Sequence, residues 1–192
     1  GSGTIAIEAA LIASRRAPGL ARRFAFERLA GFDAGAWRDL KAQAEAAVDD
    51  RTEARIAGAD ISTRVIATAR GNAALAGLQG WLDDGRLTFA AADARAAQPP
   101  AERGLIVTNP PYGEQSAPKS ATVPALMRDF GDRLKASFAG WTAWLLSADL
   151  DLPRQMRLHE TRRTVLFNGP LECRLFRFEI VAGRYDSRRP AG

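Results

Sequence analysis

The chain has very little cysteine and histidine: Cys173 and His159 are the only ones in 192 residues. A lone cysteine excludes an internal disulfide and suits a reducing, cytoplasmic compartment. So little thiol and imidazole leaves no ligand set for a His/Cys metal site, and no metal is expected. No apolar run is long enough to span a bilayer and no signal-peptide pattern opens the chain, so no membrane partner is expected. Repeats, low-complexity tracts and a second-domain boundary are missing too, and residues 1–192 read as one domain. Lysine is scarce, with only Lys41, Lys119 and Lys135 among 27 basic residues. The net charge of +5 is therefore carried by arginine, a modest bias toward phosphate-bearing partners.

What is present centres on Gly104 to Gly113, a run of apolar and β-branched residues that ends in Asn109-Pro110-Pro111-Tyr112. Leu105 to Thr108 reads as a short strand apolar on both faces, as in a buried parallel sheet. The two prolines stop that strand in a stiff, extended loop at the carboxyl end of the sheet, where open α/β sheets bind ligands. The Asn109 side-chain oxygen and the Pro110 carbonyl can both accept from one amino group, and Tyr112 can stack on a flat ring. That suggests transfer onto a nitrogen held beside a planar group. The plainer reading makes the same residues a turn and an anchor.

The chain opens Gly1-Ser2-Gly3-Thr4 and runs into an apolar helix former, Ile5 to Ala13. Glycines at a helix N-terminus let a ligand approach the backbone, and Thr4 is the expected N-cap. Gly1-x-Gly3-x-x-Ala6 also fits the dinucleotide fingerprint, which normally follows a strand. Five arginines (Arg15, Arg16, Arg22, Arg23 and Arg28) then surround Pro18-Gly19, followed by a helical pattern from Ala36 to Asp49. This length suggests an insertion, and the arginines suit either phosphates or a solvated face. Asp60 ends the next strand, from Ala54, and could accept ribose hydroxyls or cap the helix Val65 to Ala76. Asp93 follows a strand from Leu87 to Ala90 and could accept from an adenine amino group. Beyond the central stretch come a helix from Val123 to Ser137 and a buried strand at 140–147 with Trp141 and Trp144 as core. A short helix from Leu152 to Leu158 follows, then strands Arg163–Phe167 and Leu175–Val181 around the turn formers Asn168 to Glu172.

Gly-Ser-Gly-Thr, Ile-Glu-Ala-Ala, Arg-Ala-Pro-Gly-Leu, Asn-Pro-Pro-Tyr-Gly-Glu and Asn-Gly-Pro-Leu-Glu-Cys together resemble one family. It is the N-terminal methyltransferase domain of bacterial 23S rRNA guanine-N2 methyltransferases of the RlmL type. The resemblance implies a Rossmann-like α/β sheet of class I methyltransferases, order 3-2-1-4-5-7-6 with strand 7 antiparallel. Relative to that family the first strand and the THUMP domain are absent from this chain. It also implies S-adenosylmethionine as cofactor, with Gly1 and Gly3 beside its methionine part, Asp60 on the ribose and Asp93 on the adenine. Asn109 and Pro110 would orient a guanine amino group and Tyr112 would stack on the flipped base. The implied partner is 23S rRNA, and the full-length form is expected to be monomeric. Gln115 stands where the family carries an arginine. Adenine-N6 or protein glutamine-N5 transfer uses similar loops; a nicotinamide-dependent oxidoreductase and a non-catalytic RNA-binding module are the rivals from other classes.

Overall fold

The computed structural model describes residues 1–20, 22–111 and 123–182. The contacts divide into two units, Gly1–Asp93 and Ala94–Gly192.

In the first unit, small side chains govern the packing. Helix α1 (Thr4–Ala13) turns Ile7, Ala10 and Leu11 inward. Strand β1 (Ile56–Asp60) is followed by α3 (Thr63–Leu75), which buries Ala69 and Ala73. Alanines on facing helices allow a short interaxial distance. Leu78, Trp81, Leu87 and Phe89 fill the remaining space, from α4 (Gln79–Asp83), its leading edge and β2 (Leu87–Ala91). β1 and β2 form a parallel pair, with Ile56 beside Leu87 and Asp60 beside Ala91.

Between α1 and β1 the chain makes an excursion that closes on itself. α1 ends in left-handed Arg15, with the Arg16 N–H donating back to the Leu11 carbonyl at 2.8 Å. The Asp49 N–H returns to the Ser14 carbonyl, also at 2.8 Å. Inside this loop lie a 3-10 turn, Ala25–Arg28, and helix α2 (Ala34–Ala46). α2 starts earlier than its apolar pattern because the Asp33 carboxylate caps it, accepting from the Gly35 and Ala36 N–H groups at 2.9 Å each. No residue of α2 is buried. Phe24, Phe26, Phe32 and Trp37 instead pack on one another, with ring centroids 5.0 to 6.0 Å apart.

The second unit holds a sheet of order β3-β4-β6-β5, made of β3 (Leu105–Thr108), β4 (Thr142–Ser147), β5 (Glu160–Asn168) and β6 (Leu171–Glu179). β3 and β4 are parallel, and β6 runs antiparallel to both β4 and β5. Helix α5 (Val123–Ser137) lays Met127, Phe130 and Leu134 against a core that includes Leu145, Phe176 and Phe178. A short helix α6 (Leu152–Met156) adds Leu152 and Met156. Within the second sheet the last strand in sequence, β6, lies between β4 and β5.

Three details depart from the sequence reading. β3 is not buried on both faces, since Leu105 and Val107 are 59% and 44% exposed. It is an edge strand with only β4 beside it in its sheet. Trp144 is only half-buried, with the Arg177 guanidinium 5.9 Å from its ring centroid, while Trp141 is fully core. The Trp141 ring lies over Gly104, where an added Cβ would stand 2.4 Å from it, so only glycine can precede β3. Finally, β5 and β6 are longer than read, because pairing continues to Asn168 and Leu171 and leaves only Gly169-Pro170 as the turn.

Candidate active site

Four of the candidate residues lie in the first unit. Gly3, at φ 85, is the N-cap of α1, and its carbonyl accepts from the Ile7 N–H at 2.9 Å. Thr4 is therefore the first helical residue and not the cap; its hydroxyl meets the Ser2 hydroxyl at 3.1 Å. A Cβ at Gly3 would stand 2.8 Å from the Ala69 Cβ, so this glycine serves both a left-handed backbone and a close approach to α3. The Asn72 side-chain N–H donates to the Ser2 carbonyl at 3.0 Å and ties the loop to α3. Sequence reasoning missed Asn72, whose only signal was an amide among alanines on one helix.

Asp60 ends β1, one quarter exposed, with Oδ2 2.6 Å from the Gly1 nitrogen. Its Oδ1 accepts from the Ser62 N–H at 2.9 Å. Ser62, not Asp60, caps α3, accepting from the Val65 N–H at 3.4 Å. The capping role considered for Asp60 is thus filled by its neighbour, and the carboxylate faces the glycine loop. The ladder runs one step past the strands, with the Ala92 N–H donating to the Asp60 carbonyl at 3.0 Å. That bond sets half-buried Asp93 just beyond the end of β2, one strand over from Asp60. The structure thus brings Gly1, Gly3, Asp60 and Asp93 to one edge of the β1-β2 pair.

In the second unit, Asn109 follows β3 directly and is exposed, while Pro110 is buried and Pro111 half-buried. They stand at the carboxyl end of β3, beside the last residues of β4, since Thr108 pairs with Leu145 and β4 runs on to Ser147. Tyr112 lies outside the described residues, as does Gln115. Among the described residues no group of His, Cys, Asp and Glu could hold a metal, and no helix is long and apolar enough to cross a membrane.

The family described as UPF0020, RMKL-like, methyltransferase domain, matches residues 1–177. The chain belongs to that family. The ribosomal RNA large subunit methyltransferase K/L of Shewanella baltica (strain OS185) is 39% identical to this RMKL-like domain over 177 residues, 90% of the chain and 24% of that protein. The crystal structure of SMU.472, assigned as a methyltransferase and complexed with SAH, superposes with a TM-score of 0.83 at 28% identity. That match covers 97% of this chain and 47% of the other. A predicted N6-adenine-specific DNA methylase from Listeria monocytogenes str. 4b F2365 gives a TM-score of 0.80 at 30% identity, over 93% of this chain and 44% of its own. The RMKL-like domain therefore has the Rossmann-like α/β fold of these methyltransferases. It spans about a quarter of the length of the curated relatives it matches and about half that of these solved structures.

Proposed function

We propose that residues 1–192 form one S-adenosylmethionine-dependent N-methyltransferase domain acting on the exocyclic N2 of a guanine in 23S rRNA. The observation that carries this is the gathering of a glycine loop at the start of α1 with the strand-end acids Asp60 and Asp93 at one edge of the β1-β2 pair, in a chain of this family.

The residues of the first unit fit the cofactor. Asp60 and Asp93 supply carboxylate acceptors one strand apart, suited to ribose hydroxyls and an adenine amino group. S-adenosylmethionine bound there supplies an electrophilic methyl group on a sulfonium sulfur. Asn109 Oδ1 and the Pro110 carbonyl accept the two N–H groups of the substrate amine and hold its nitrogen in the attacking orientation. The same acceptors would hold the surplus proton of the alkylated nitrogen by hydrogen bonding until it passes to solvent water. Positioning of this kind, not acid–base chemistry, would supply much of the acceleration. Tyr112 is assigned to stacking on the flipped base.

The rRNA assignment draws support from the Shewanella relative's name. The Listeria structure's name favours a second reading, adenine-N6 transfer with the same loop. Labelled methyl groups offered to ribosome-free 23S rRNA by the full-length protein distinguish the two. The expected product is N2-methylguanine, with turnover lowered ~100- to 1,000-fold in Asn109→Ala and S-adenosylhomocysteine affinity kept. Label recovered as N6-methyladenine would replace the guanine reading with its rival.

A further inference from the structure

The excursion between Ser14 and Asp49 has no part in the chemistry above. Its arginines are unevenly used. Arg16 pairs with Asp50 at 3.2 Å, whereas Arg15, Arg22, Arg23 and Arg28 are in no ion pair among the described residues. From Arg15 to Arg28 the only acid is Glu27, and its carboxylate is already engaged by the Phe24 N–H at 2.8 Å, fixing the 3-10 turn. The Arg22 guanidinium lies 5.6 Å from the Phe24 ring centroid. Beside Arg22 the four rings pack the excursion on itself, and Phe26 and Leu29 remain 40% and 66% exposed.

We propose that this excursion is a docking face for RNA, with Arg15, Arg22, Arg23 and Arg28 on phosphates and the open edges of Phe26 and Leu29 against bases. The inference rests on the reading of the chain as an RNA methyltransferase domain and extends it to how the substrate is held. Charge complementarity selects the occupant. Unpaired guanidinium groups suit a polyanion, and the exposed Phe26 ring suits the face of an unpaired base. A solvated basic face would need no aromatic body beneath it. An anionic bilayer could also meet such a face, and the experiment separates the two.

The test compares the full-length protein with its Arg22→Gln, Arg23→Gln and Arg28→Gln variants, single and combined. Binding to ribosome-free 23S rRNA is followed from about 50 to 300 mM KCl, beside S-adenosylhomocysteine affinity as a check on folding. Each single change should lower the slope of log affinity against log salt by roughly 0.7, and the triple by roughly 2, with ~10- to 100-fold weaker binding at low salt. Cofactor affinity should not move. A parent that binds RNA and variants that bind it equally well, with equal slopes, would overturn the docking face alone. A parent that binds no RNA would overturn the docking face and the RNA substrate together. Variants with unchanged RNA binding that no longer adhere to anionic phosphatidylserine vesicles would make the face a membrane surface and sink the proposal.

Discussion

The two units use opposite means to hold a sheet. The first rests a two-stranded pair of five-residue strands on helices that meet through Ala10, Ala69 and Ala73. The second stacks four strands against Phe130, Leu134, Phe138, Trp141, Phe176 and Phe178. Large rings bury far more apolar surface than alanines, and a two-stranded sheet is marginal by itself. The difference teaches where stability and ligand chemistry reside. In the first unit the small residues let a glycine loop, a carboxylate and a second carboxylate gather at one edge. The second unit holds the larger core and carries its candidate chemistry on one loop after β3.

The strongest test of this contrast is Phe176→Ala. Phe176 is fully buried at the centre of the second core, and its loss should destabilise the protein by about 3–5 kcal/mol in denaturant titration. Amide exchange should agree, with β4 and β6 protected longer than β1 and β2. Faster exchange in β4 than in β1 would break the comparison.

Next in size is Asp60→Ala. Removing charge-assisted hydrogen bonds worth about 1.5–3 kcal/mol should weaken S-adenosylhomocysteine binding ~10- to 100-fold by calorimetry. Paired with Asn109→Ala, it sharpens the division, one variant failing in affinity and the other in turnover. Equal affinity in Asp60→Ala and its parent would remove the carboxylate from the cofactor site.

A smaller effect is expected from Gly3→Ala. The new methyl would meet the Ala69 Cβ at 2.8 Å on a backbone at φ 85. The cost should be about 1–3 kcal/mol, with cofactor affinity falling alongside stability. Thermal unfolding with and without S-adenosylhomocysteine separates the two effects, and an unchanged Tm would mean that α1 can shift away from α3.

The least disruptive prediction concerns Asp49, at the neck of the excursion. The Arg51 side chain, bonded to it at 2.9 Å, and then the Arg51 backbone N–H lower its pKa from 3.8 to about 2. A depressed carboxylate contributes stability above its unfolded pKa and loses it as pH falls through the folded value. The window is therefore from about 4 down to about 2. Carboxyl NMR titration should find the low value in the parent and a return toward 3.8 in Arg51→Ala. With Arg51 91% exposed, little change in overall stability should accompany it.

Local chemistry made much of this legible in advance. β3 and α5 were read with the bounds they have, because an apolar run stopped by two prolines and an amphipathic period are properties of a few consecutive residues. The acids at the ends of β1 and β2 were legible for the same reason. Reading β5 and β6 too short came from taking Asn168 to Glu172 as a loop, when cross-strand pairing reaches Asn168 and Leu171.

By itself, then, the sequence determined the strands and the longer helices (though not α4), where glycine and proline interrupt them and which residues could do chemistry. Only tertiary structure decided neighbours. It inserted β6 antiparallel between β4 and β5, left β3 on an edge with Leu105 and Val107 exposed, and half-exposed Trp144. It also gave the helix cap to Ser62 and turned Asp60 toward the Gly1 nitrogen. The physical reason is that periodicity and propensity act over a turn or two of chain. Burial and hydrogen-bond partnership are set by groups up to 70 residues apart, as Ser2 and Asn72 are.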